Sequence, residues 1–322
     1  MSNRPRRPSG SRPPQTPGKG PRPSNRRPGQ QPDSQSPRGQ GTAAPFHGND
    51  DEQKICGFHA CLGVFQRRPD DIIKVYLTED RTRHVSALLK WCAANRRAYN
   101  VVADENLERL SGSSHHEGIM ILTRKPAPLD DRALIQGVRA GTLTGPFLYL
   151  DGLQNPHNLG ALLRTAAHFA VSAILGSYSD LPEVSAATSR VAEGGAEHVP
   201  VIALLRPEET LAELQENGFV VLATSSHQGR SIYKEVLTPK TIFVLGGEHS
   251  GVSGDLIQLA DRCLLIPGTG HVESLNVSVA GAVLLSELYR QVNSTASSEK
   301  PSKPGGAGHR RPDHSKLRKP NR

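Results

Sequence analysis

Ile266-Pro-Gly-Thr-Gly-His-Val-Glu-Ser-Leu-Asn-Val-Ser-Val-Ala280 is the stretch on which the reading of this chain turns. Ahead of it, Arg262-Cys-Leu-Leu-Ile266 has the short apolar run of a buried strand. Behind it an apolar helix is predicted over 275–292. Two glycines between them let the backbone approach a ligand closely. Ser274 and Asn276 fall where the first free amides of that helix begin, so polar side chains and N–H groups share one space. Such a place suits a small polar cofactor or an anion. An ordinary, well-capped strand-to-helix turn would share these features, so the turn alone leaves both readings open.

Working outward, two more segments have the same character. Asn155-Pro-His-Asn-Leu-Gly-Ala-Leu-Leu-Arg-Thr165 follows the apolar run Phe147-Leu-Tyr-Leu150, and Gly246-Gly-Glu-His-Ser-Gly-Val-Ser253 follows Thr241-Ile-Phe-Val-Leu245. From 146 onward, strands are predicted at 147–150, 172–176, 199–204, 219–223, 241–245 and 262–266. Helices are predicted near 159–169, 208–217, 254–260 and 275–292. Strands alternating with helices imply an α/β fold, a parallel sheet covered on both faces. Ligands of such sheets bind beyond the carboxyl ends of the strands, and all three segments fall there.

Taken together, the three segments resemble the motifs of the SpoU/TrmH family of RNA ribose 2′-O-methyltransferases, a branch of the SPOUT class. Asn158, Gly160 and Arg164 meet its N-x-G-x-x-x-R core. Gly246, Glu248 and Gly251 meet its G-x-E-x-x-G core. Ile266, Pro267, Gly270, Ser274, Leu275 and Asn276 meet I-P-x-x-G-x-x-x-S-L-N at every fixed position. The resemblance covers about residues 55–292. It implies a catalytic domain over 146–292 whose sheet carries a trefoil knot, a methyl donor in S-adenosyl-L-methionine, and a homodimer packed through the knot helices. No metal is implied, and the thirteen histidines are scattered.

The resemblance also assigns roles. Arg164 is the catalytic arginine at the ribose. A guanidinium gives up its proton only in an exceptional setting, so its expected work is to stabilise the developing alkoxide. Asn158 and Glu248 are expected against each other or the substrate, with Glu248 orienting Arg164 or accepting a proton. Ser274 and Asn276 are expected to position the substrate and the motif loops. Backbone groups of Gly246, Ile266 and Leu275 are expected to hold the cofactor. Three positions depart from common family residues: Asn155 for Asp, Ala170 for Gly, and His249 for Gly. Glu193-Gly-Gly-Ala-Glu-His-Val-Pro200 resembles the family's G-A-x-E stretch.

Ahead of the catalytic domain, residues 51–125 alternate strand-like and helical pieces. Helical spacing is predicted over Lys54–Phe65 and 85–96, and strands at 72–77, 98–102 and 119–122. This unit resembles the family's small L30e-like α/β substrate-binding domain. Its H-Q-G-I signature stands here as His116-Glu117-Gly118-Ile119, with Glu117 in place of Gln. Residues 126–145, with two prolines and two glycines around one helical run, read as a linker.

Charge is distributed unevenly. Of a net +8, residues 1–48 contribute nine Lys/Arg against Asp33, and residues 296–322 contribute eight against Glu299 and Asp313. The stretch between is therefore acidic. The Arg/Pro-rich segment 1–50, with its eleven prolines, and the segment 293–322 are expected to be disordered tails that attract RNA. The long basic head is similar to that of the YfiF-like members. Four cysteines without metal spacing, no long apolar run and no secretory leader point to a cytoplasmic chain with no membrane partner. The expected partner is RNA, either tRNA or rRNA. The competing readings are a non-catalytic RNA-binding or ribosome-assembly factor that retains the fold, and a nucleotide-binding oxidoreductase or phosphotransferase. The last lacks a G-x-G-x-x-G or G-K-[ST] loop.

Overall fold

A computed structural model describes residues 50–247 and 250–298. The tail readings over 1–49 and 299–322, and the two loop residues Glu248 and His249, lie outside these.

The carboxy-terminal half is a seven-stranded parallel sheet. In chain order its strands are β5 (Phe147–Asp151), β6 (Ala173–Ser177), β7 (Val201–Leu204), β8 (Val220–Thr224), β9 (Arg230–Ser231), β10 (Thr241–Gly246) and β11 (Arg262–Leu265). Their spatial order is β7-β6-β5-β10-β8-β11-β9. Alternation along the central strands divides the core in two. Leu148 and Leu150 of β5, with Phe243 and Leu245 of β10, face one cluster. Phe147, Tyr149, Ile242 and Val244 face the other. Helices α6 (Pro156–His168) and α10 (Val277–Ser298) cover the first face. Helices α5 (Asp131–Arg139), α8 (Pro207–Glu216) and α9 (Gly254–Leu259) cover the second. Burying each large apolar side chain contributes roughly 1.5–3 kcal/mol, so two continuous clusters fix the strand register firmly.

The amino-terminal half is a mixed four-stranded sheet of order β1-β4-β2-β3. It is built from β1 (Glu52–Cys56), β2 (Ile72–Leu77), β3 (Ala98–Val101) and β4 (Ile119–Arg124). Helices α1 (Phe58–Arg67), α2 (Glu79–Thr82), α3 (Ser86–Ala94) and α4 (Asp104–Ser111) accompany it. Three of the four cysteines are buried here, and all four are free. Burial pushes the Cys56 thiol up to about 11, although Lys54 and Arg190 pull the other way.

Three expectations need correction. Lys54–Phe65 is not one helix: its first residues pair with β4 as strand β1, and α1 starts only after Gly57, whose φ of +99° turns the chain. The Phe58 N–H at the head of α1 donates to Glu117 Oε2 at 2.8 Å. The glutamate that departs from the family's glutamine thus places a negative charge on the helix's positive end. Residues 126–145 are not a free linker. They carry α5, which buries Leu134 and Ile135 in the second core cluster. Its Asp131 carboxylate accepts from Leu205 N–H (2.9 Å), Arg206 N–H (3.1 Å) and the Thr210 hydroxyl (2.7 Å). Burial works to raise the Asp131 pKa, but these bonds outweigh it and hold it below the usual carboxylate value. Finally, α10 continues through Ser298, so the first residues of the segment read as a tail from 293 are helical.

The two halves meet closely. α7 (Ala186–Val191) and the turn that follows it pack against β1 and α1. Arg68 at the end of α1 donates to both carboxylate oxygens of Glu197, at 2.6 and 2.9 Å.

Candidate functional site

Motif one grows out of β5. Asn155 caps α6 by accepting from His157 N–H at 2.9 Å, with Pro156 at the first helical position. Asparagine and aspartate serve equally here, because the cap needs only an acceptor oxygen. Asn158, the third residue of α6, is buried. Gly160 is where α6 touches α7: a β-carbon there would lie 2.7 Å from Val191 Cβ and 2.8 Å from Thr188 O. Past α6, Ala170 adopts φ +55°, a left-handed turn that explains the family's glycine at this position.

Motif two leaves β10 and doubles back. Gly251 N–H donates to Gly247 O at 3.1 Å, and the two residues form an isolated antiparallel bridge. The return is so tight that a β-carbon on Gly246 would sit 2.0 Å from the Gly251 carbonyl carbon and 2.3 Å from Val252 N. Asp151, at the end of β5, accepts from Ser253 N–H at 2.7 Å and ties this loop to motif one. Glu248 lies outside the described residues, so its expected pairing with Asn158 has no geometry to report. Gly246→Ala is expected to displace the loop, costing about 1–3 kcal/mol of stability by overpacking. Thermal melting with and without S-adenosyl-L-methionine checks this, and the shift on adding cofactor should vanish in the variant.

Motif three runs from β11 to α10. Ile266 packs its side chain on the first core cluster. Residues 267–276 are exposed, and Gly270 has φ +81°. Asn276 is the hinge of the arrangement. Its Oδ1 accepts from Ser278 N–H at 2.9 Å and from the Ser278 hydroxyl at 2.6 Å, capping α10. Its Nδ2 donates to Asn158 Oδ1 at 3.2 Å. Gly281, one turn on, lets α10 lie against Leu162 of α6.

The structure therefore joins Asn158 and Asn276 directly, with Gly246 at the neighbouring strand end. Ser274 and Leu275 lie on the exposed loop before Asn276. Arg164 faces elsewhere along α6. Its side chain is 64% exposed, and its Nη1 stands 3.7 Å from Glu193 Oε1. It lines an open groove of about 770 Å³ with His59, Gln66, His168, Glu193 and His198. Sequence reading did not find Glu193. Its signal was its place at the head of the G-A-x-E-like stretch, directly before two glycines. Among the described residues no cluster of side chains suits a metal ion, and no helix is long and apolar enough to cross a membrane.

A doubly covered parallel sheet, with three polar loops converging beyond its strand ends, defines an α/β protein of the ligand-binding kind. The model of the SpoU rRNA Methylase family matches residues 145–286, and that of the RNA 2′-O ribose methyltransferase substrate-binding domain matches residues 54–129. The YfiF protein of Escherichia coli O157:H7, described as an uncharacterized tRNA/rRNA methyltransferase, is 37% identical over 75% of this chain and 69% of its own length. The 23S rRNA (guanosine-2′-O-)-methyltransferase RlmB of Nitrosomonas europaea is 32% identical over 74% of this chain and 92% of its own. A solved structure described as an RNA methyltransferase of the TrmH family from Porphyromonas gingivalis superposes with a TM-score of 0.60 at 25% identity, over 75% of this chain and 91% of the other. AviRb from Streptomyces viridochromogenes, a SpoU methyltransferase solved with AdoMet, shares the fold at 18% identity and a TM-score of 0.63, over 75% and 90% of the two chains. The chain belongs to the SpoU family of RNA methyltransferases.

Proposed function

We propose that this protein transfers a methyl group from S-adenosyl-L-methionine to a ribose 2′-oxygen of ribosomal or transfer RNA. The observation that carries the reading is the Asn276–Asn158 hydrogen bond. It locks the third motif onto the first at the strand ends, in a chain 32% identical to a guanosine-2′-O-methyltransferase across most of that protein's length.

The loops fit the cofactor. Gly246 has no side chain and Ile266 directs its own into the core, so backbone groups are what these strand ends offer a ligand. Gly246, Ile266 and Leu275 would hold the cofactor in this way, and when bound it supplies an activated methyl group on a sulfonium. Arg164 contacts the ribose oxygen and steadies the negative charge that develops there. Asn158 and Asn276, fixed to each other, keep the loops in register. Ser274 contributes a hydroxyl to the same rim. Positioning supplies most of the acceleration, because the displacement is in-line and needs little else from the protein.

The same reading makes the unit at 51–125 the RNA-binding domain and 146–292 the methyltransferase domain, with the knot implied by the family. Val272, Leu275, Val279 and Tyr289 are exposed apolar side chains on motif three and α10. A homodimer packed through α10 would cover side chains of this kind. RNA as substrate sets the work in the cytoplasm.

The test is direct. The purified full chain is given methyl-labelled S-adenosyl-L-methionine and RNA from cells lacking the gene. Label on ribose 2′-oxygens is expected, and the size of the labelled RNA names its class. Label on bases, or none, overturns the reading. Deleting residues 1–48, which hold nine Lys/Arg, should weaken RNA binding. Each lost phosphate contact should flatten the slope of log affinity against log salt by about 0.7–0.9. Filter binding across a salt series measures both.

A further inference from the structure

Glu193 has φ +51°, a backbone conformation that crowds any residue bearing a β-carbon. The glycines after it are required by space. A β-carbon on Gly194 would come within 3.0 Å of His59 O, and one on Gly195 within 2.7 Å of Leu163 O and 3.0 Å of Arg164 Cα. Across the junction, a β-carbon on Gly63 of α1 would meet Gly194 Cα at 3.3 Å. The turn is thus wedged between α1 of the amino-terminal half and α6 of the catalytic half, directly behind the backbone of Arg164.

From this turn the Glu193 carboxylate reaches both ways. Oε1 stands 3.7 Å from Arg164 Nη1, and Oε2 stands 4.0 Å from His59 Nε2 on α1. Among the described residues Glu193 is the carboxylate paired with Arg164. Exposed pairs at such distances add little to stability, and the left-handed backbone works against it. Glu193 is therefore poorly explained as a stabiliser of the fold. Backbone strain concentrates where function over-determines geometry.

We propose that Glu193 is a positioning residue for Arg164. Its carboxylate, aimed by the strained turn and flanked on the other side by His59, sets the direction in which the guanidinium meets the ribose. The inference rests on the reading of Arg164 given above. It adds that the seating of the amino-terminal half is felt at the reacting end of the catalytic half, through one carboxylate.

The experiment compares the full chain with Glu193→Gln, Glu193→Asp, Glu193→Gly and Arg164→Ala. It measures kcat, KM for RNA and for S-adenosyl-L-methionine, and the melting temperature. Glu193→Gln should lower kcat about ten-fold, because misplacing a catalytic group is costly, with KM for the cofactor unchanged. Glu193→Asp should recover part of the rate. Glu193→Gly removes strain and carboxylate together. It should melt no lower than the parent and yet be as slow as the glutamine variant, which a purely structural role cannot produce. An inactive Arg164→Ala beside glutamine and glycine variants within about two-fold of the parent kcat overturns this inference and leaves the reading of Arg164 standing. A fully active Arg164→Ala overturns both.

Discussion

Replacing Arg164 by alanine is expected to slow methyl transfer by about 10²–10³-fold, the usual cost of removing one preorganised donor at a developing oxyanion. Cofactor affinity should stay at the parent value, because the groups assigned to the cofactor lie on motifs two and three. The protein should fold normally, since the Arg164 side chain is largely exposed and its ion pair with Glu193 is long. Single-turnover transfer at saturating cofactor measures the rate, and calorimetric titration measures the affinity. A parent-like rate would remove Arg164 from the mechanism. A matched loss of cofactor binding would move it to the cofactor site.

Replacing Glu197 by alanine is expected to destabilise the protein by about 1–3 kcal/mol, the cost of leaving largely buried donors without their partner. Arg68 and Glu197 are only 14% and 11% exposed. Arg68 also donates from Nη1 to Thr123 Oγ1 at 2.9 Å and to Arg124 O at 2.8 Å, so the guanidinium is bound on several sides. Burial works against its charge, yet the hydrogen bonds it donates to Glu197 raise its pKa above the ordinary value. Alanine at 197 removes the closer of its two carboxylate partners and leaves only Asp71, 3.6 Å from Nη1, beside it. Urea denaturation should show the loss. Replacing both residues by methionine should cost less, because an apolar pair of similar volume strands nothing.

The catalytic sheet was legible because buried parallel strands are short apolar runs. Phe147–Asp151, Thr241–Gly246 and Arg262–Leu265 each fall within a residue or so of where pattern alone puts them. The start of β1 was misread because Ile55, Cys56, Phe58 and Cys61 have spacing that suits a helix as well as a strand. Only the positive φ of Gly57 separates the two, and nothing local requires it. Helix α5 was taken into a linker because its flanking prolines and glycines are local signals. Its burial depends on Ile202 and Leu211, far along the chain. Asn158 and Asn276 were recognised separately by motif, but their hydrogen bond depends on how α6 and α10 pack. Glu193 opens the stretch that resembles the family's G-A-x-E motif, but no role was attached to it there. Its neighbours His59 and Arg164 are brought to it only by the fold.

The two asparagines that join motif one to motif three stand 118 positions apart. A ribosome adding about 5–20 residues per second needs several seconds to make the intervening chain. During that interval the first loop exists without its counterpart. The nascent protein can fold its amino-terminal sheet early, but it has no assembled methyl-transfer site until α10 has emerged. Competence therefore arrives in one late step of synthesis, and any chain interrupted before Asn276 lacks the site.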